Sequence, residues 1–216
     1  MDMDLYLDDV REKIKHGNKI LFSRSSPCLQ QLLHLLRRQK HRAIVMWALD
    51  CAQHPAEILR RRYPHESRPE TAIALCRQWA MGNVKMPVAK KALLQVHAMA
   101  KEVQSPVDIA LCHAVGQACA SVHVETHGIG LAMYELTAIV REHGIDQCEQ
   151  ALRHKLSAYL THLQYCAQKV ENHPGKWADF LLDDTRPNKE QLLLEKERAK
   201  ASNRFCNVEE KRFDRK

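Results

Sequence analysis

Eight cysteines are spread along this chain without a single CxxC pair. Zinc ribbons and dithiol redox sites need two sulfurs close in sequence, so neither is offered, and the thiols read as reduced, small apolar residues. No run of about eighteen uncharged apolar residues occurs, which argues against a membrane-spanning helix. The first residues, MDMDLYLDDVREK, start acidic and lack a basic segment followed by an apolar one, so no secretory signal is read and the expected location is cytoplasmic. There is no glycine-rich phosphate loop and no cofactor-binding pattern. Aromatic residues are few, with four Phe, five Tyr and three Trp, and this scarcity speaks against extended sheets.

What the chain does hold is apolar material at helical spacing. With 216 residues and 45% hydrophobic content it can bury a core of one domain, or of one domain plus an extension. The expected fold is all-α, a compact multi-helix bundle with a helical, charged C-terminal extension. Leu29, Leu32, Leu33 and Leu36 follow Ser26-Pro27 as an amphipathic stripe behind a helix start. The segment AIVMWALDCA, 43–52, is apolar nearly all round and predicts a buried helix. Further starts stand at Pro55, Arg68-Pro69, Pro87, Ser105-Pro106 and Asp146, and stops at Gly82, His143-Gly144 and His173-Pro174-Gly175. Residues 1–25 read as an N-terminal arm with a short helix, 26–173 as the helical domain and 174–216 as the extension. In the extension Leu192, Leu193 and Leu194 could dock on the bundle or on a second copy of the chain.

The stretch CHAVGQACASVHVETHGIGLAMY, Cys112 to Tyr134, is rich in small residues that let helices approach closely, and it is expected at the bundle centre. Cys112 and Cys119, a heptad apart, should face the core. A helix break is expected near His127, at Gly128 and Gly130. His123 and His127 stand four apart, a spacing that on one helix lets two imidazoles reach one ion. Glu125 falls about 200° around such a helix from His123, so the metalloprotease arrangement fails on geometry. A metal held by His123, His127 and Asp50 is the weaker reading. Membership of both histidines in a buried polar network is the preferred one.

Asp50 falls in the apolar stripe of Ala43, Met46, Trp47 and Cys51, where a carboxylate needs a partner. Arg68, at the mouth of a later helix, is the partner this reading supplies. Asp50, Arg68, His123 and His127 thus form the candidate polar network. Arg37, Arg38, Lys40, Arg42, Arg60, Arg61 and Arg62 supply much of the net charge of +7. They offer a surface for an acidic protein face or for phosphate, though no aromatics interleave with them as base stacking requires.

Several of these features recur together in one family. The W-A-x-D-C-A helix at Trp47 to Ala52, the R-P-x-x-A-I start at Arg68 to Ile73, W-x-x-G at Trp79 to Gly82 and H-x-x-x-H-x-x-G at His123 to Gly130 follow in order. In this the chain resembles the immunity-five-like putative immunity proteins of bacterial polymorphic-toxin systems. The resemblance covers about half the chain and implies a compact all-α fold and neutralisation of a cognate toxin by direct binding, without catalysis. Two other readings stand beside it. One is a nucleic-acid-binding helical module using residues 37–62, and the other a metal-dependent enzyme centred on His123, His127 and Asp50.

Overall fold

A computed structural model describes residues 4–200. Among these, helices follow one another with no strand: α1 (Asp4–Lys15), α2 (Gln30–Leu36), α3 (His41–Cys51), α4 (Gln53–Arg62), α5 (Arg68–Ala80), α6 (Met86–Glu102), α7 (Pro106–Ala120), α8 (Gly128–His143), α9 (Glu149–Lys169) and the short α10 (Asp179–Leu182). Residues 189–200 are helical as well. The fold is the all-α bundle that the spacing predicts.

The local signals act where the sequence places them. Proline occupies the first turn of α5, α6 and α7, where its missing N–H is no loss. The Ser105 side chain accepts from the Asp108 N–H and caps α7. Gly82 and Gly144 take positive φ, 79° and 76°, where α5 and α8 end.

Helix α7 is the axis of the bundle and touches α3, α4, α5, α6 and α8. Its residues Ala110, Cys112, Ala114, Gly116, Ala118 and Cys119 are buried, and their small size is what admits so many neighbours. A Cβ on Gly116 would overlap the His97 ring of α6. On the other side Trp47 of α3 meets Tyr159 of α9 edge to face at 5.5 Å and donates its indole N–H to the Tyr159 carbonyl at 3.1 Å. The same core takes Leu7 and Val10 from α1, Leu21 and Phe22 from the segment after it, and Leu181 from α10.

The break within the small-residue stretch comes earlier than expected. α7 ends at Ala120, a turn follows, Val124 is extended (φ −146°, ψ 127°), and Gly128 opens α8 instead of closing α7. The glycines serve packing. A Cβ on Gly128 would come 3.0 Å from the Ile44 side chain, and one on Gly130 would collide with the Gln117 amide.

Past α9, the chain returns over α2 and α3. Asn188 donates to the carbonyls of Leu36 and Gln39 at 2.9 Å each, and the buried Glu190 receives Arg24. Leu192 and Leu194 are half-buried, while Leu193 is exposed. Cys206 and the rest of 201–216 lie outside the described residues.

Candidate functional site

Asp50 sits on the α3 face that meets α5 and α9, and its partner is not Arg68. Arg77 of α5 donates to Asp50 Oδ1 at 2.7 Å and to the Leu49 carbonyl at 3.2 Å. On the other oxygen, His162 Nε2 of α9 lies 3.2 Å from Asp50 Oδ2, and Cys166 Sγ lies 3.6 Å from the same nitrogen. Burial, then the Asp50 charge, pushes the Cys166 thiol up to about 12. Arg68 faces away from this cluster. It bridges Glu66 and Glu102, at 2.5 Å to each, and tethers the mouth of α5 to the end of α6. The expected Asp50–Arg68 pair is therefore corrected to Asp50–Arg77. Arg68 stands at the first residue of α5, whereas Arg77 stands nine residues further along it, beside the carboxylate.

Asp50 is half-buried, whereas a fully buried carboxylate nearby was not anticipated from the sequence. Glu135 of α8 is 1% exposed and is surrounded by His54 Nδ1 and Lys155 Nζ, at 2.6 Å each, and by the Tyr159 hydroxyl, which donates to it. Burial acts to raise its pKa, but the His54, Lys155 and Tyr159 contacts outweigh it and hold the group below the usual carboxylate range. Burial and the Glu135 charge push the Tyr159 hydroxyl up. The signal was present, since Glu135 interrupts the apolar run GIGLAMYELTAIV just as Asp50 interrupts its own. Asp50, His54, Lys155, Tyr159 and His162 share one depression between α3, α4 and α9.

His123 and His127 lie apart from this depression, in the turn between α7 and α8. The extended residue at Val124 breaks the helical register between them, so their spacing in sequence does not set two imidazoles on one helix face. His127 Nδ1 is 2.8 Å from Gln117 Oε1. His123 is exposed and stacks on Trp79 with ring centres 6.3 Å apart. Burial lowers the His127 pKa, and burial followed by the nearby His113 lowers that of His97, so both rings favour the neutral form. With Trp79, Leu93, Leu94 and His97 they line a groove of about 260 Å³ beside α6. The metal set His123, His127 and Asp50 is not brought together, because Asp50 belongs to the depression at α9 and the two histidines to this groove.

The cations of 37–62 are held in different places. Lys40 reaches Glu171 at 2.6 Å and Asp184 at 2.9 Å, and the buried Arg42 reaches Asp184 at 2.6 Å. Arg60 and Arg61 pair with Glu57 on α4, and Arg62 bridges Asp108 and Glu142. Arg37 and Arg38 line a cavity of about 290 Å³ with His41, Glu125, Arg186 and Lys189, partly roofed by the returning C-terminal segment. His41 donates Nε2–H to the Ser121 carbonyl at 2.6 Å and helps close the turn after α7.

The family model of the Imm-5 like putative immunity proteins matches residues 34–162. The chain belongs to that family. The match spans more than half the chain, from the end of α2 into α9. It takes in the groove at α6, Asp50, Arg77, Glu135 and His162, and it stops short of Cys166 and of the segment that folds back over α2. No curated protein and no solved structure matches the chain. No helix among the described residues is long and apolar enough to cross a membrane.

Proposed function

We propose that this chain is a non-enzymatic immunity protein that neutralises a cognate toxin by binding it directly. The observation that carries the reading is the family match over 34–162. The surface that best suits a protein partner is the outer face of α6, where Met86 (41%) and Leu94 (51%) are exposed on the rim of the groove of Trp79, Leu93 and His123. An apolar patch with an aromatic-lined hollow is the usual form of a protein anchor site. The nucleic-acid reading draws less support, because Lys40, Arg42, Arg60, Arg61 and Arg62 already answer carboxylates of the same chain.

The test is co-expression with toxins encoded beside the gene. Growth should be restored by the wild-type chain, and the pair should co-purify. Met86→Glu and Leu94→Glu, at exposed positions on the groove rim, should leave the fold intact and weaken the complex about tenfold or more. If no neighbouring toxin is bound or neutralised, the proposal fails. If one is bound with unchanged affinity by both variants, the assignment to α6 fails alone.

A further inference from the structure

The cluster where α3 meets α9 has a geometry that its hydrogen bonds do not require. Asp50 offers Oδ2, His162 offers Nε2 and Cys166 offers Sγ, and these three atoms lie within 4.8 Å of one another. The oxygen-to-nitrogen edge is 3.2 Å and the nitrogen-to-sulfur edge 3.6 Å. A tetrahedral zinc ion with bonds of about 2.0–2.1 Å to N and O and about 2.3 Å to S makes such edges roughly 3.3 and 3.5 Å long. His162 and Cys166 are four apart on the unbroken helix α9, so one turn of helix aims both at the same point. Asp50 closes the third corner from across the helix seam.

We propose that Asp50, His162 and Cys166 form a binding site for a divalent transition-metal ion of zinc type, with a fourth position open to water or to an outside ligand. The donor set of carboxylate, imidazole and thiolate is the chemistry zinc and cobalt(II) take up in preference to magnesium or calcium. Charge also balances. On binding, the thiol loses its proton to solvent, and one carboxylate and one thiolate neutralise the two positive charges of the ion. Arg77 holds Asp50 by Oδ1 and the α3 carbonyl of Leu49, which leaves Oδ2 turned to His162 and Cys166 and makes Arg77 an orienting partner outside the coordination sphere. Asp50 and His162 both line the depression that also holds His54 and Lys155, so water can reach the fourth position. The site ties α3 to α9 and is independent of whether the chain meets a toxin through α6.

The protein, purified without a histidine tag and stripped with a chelator, would be titrated with cobalt(II) and then with zinc. One equivalent of cobalt should produce a sulfur-to-cobalt charge-transfer absorption and the intense visible bands of a four-coordinate ion, and zinc should displace it. Cys166→Ser should abolish the charge-transfer band. Because Cys166 is buried, that variant is checked for native helicity, and His162→Gln, at a half-exposed position, serves as the second probe. It should weaken cobalt binding about tenfold or more, as should Asp50→Asn. The proposal is overturned if no band develops, if the band survives Cys166→Ser and so arises at another cysteine, or if His162→Gln binds cobalt as tightly as wild type.

Discussion

Glu135 is the residue whose chemistry costs the most to disturb. Its carboxylate is buried among His54, Lys155 and Tyr159, and removing the charge strands a mostly buried lysine. Glu135→Gln should lower unfolding stability by about 3–5 kcal/mol, read by chemical denaturation. The pH dependence follows from the direction of its pKa. The folded value lies below the ordinary 4.5, so the stabilisation is full above that value and is lost as pH falls through the lowered folded pKa. In Glu135→Gln that part of the acid slope should be missing. The two arginines make a second comparison. Arg77→Ala leaves Asp50 with His162 alone and should cost about 1–3 kcal/mol. Arg68→Ala removes a fork onto the half-buried Glu66 and the exposed Glu102 and should cost a similar amount, about 1–3 kcal/mol.

Among the elements, α7 depends on its lack of side-chain bulk. Gly116→Ala keeps helical φ and should raise intrinsic helix propensity, yet its Cβ meets the His97 ring at the α6 seam. Overpacking should win, with a loss of about 1–3 kcal/mol in denaturation and a displaced His97 in the groove. The returning segment is tied to α2 by a single amide. Asn188→Ala removes two hydrogen bonds, to the carbonyls of Leu36 and Gln39. It should cost about 1–3 kcal/mol and speed amide exchange at residues 183–190 ahead of the core. The helices themselves were readable from the sequence because caps, prolines and apolar spacing act within a few residues. The turn at 121–127 was not. Its early onset is supported by His41 from α3 holding the Ser121 carbonyl, a contact between residues eighty positions apart.

For the whole molecule, the arrangement keeps the apolar groove at α6 apart from the polar cluster at the α3–α9 seam. The α6 groove carries the partner-binding proposal, and the α3–α9 seam carries the metal proposal. An immunity protein that uses α6 should therefore keep its toxin affinity after His162→Gln, measured by competition with wild type, while the same variant loses cobalt. Sequence alone determined that the chain is helical, where most helices start and stop, that Cys112 and Cys119 are core residues, and that Asp50 must find a partner. All of these follow from local geometry and from the cost of burying an unpaired charge. Only the tertiary structure decided which partner answers. Arg77 and His162 reach Asp50, Arg68 goes to Glu66 and Glu102, and His123 and His127 share a groove without sharing a helix. Charge and burial state that a partner is needed, but distance names it, and distance between residues far apart in sequence is set by how the helices pack.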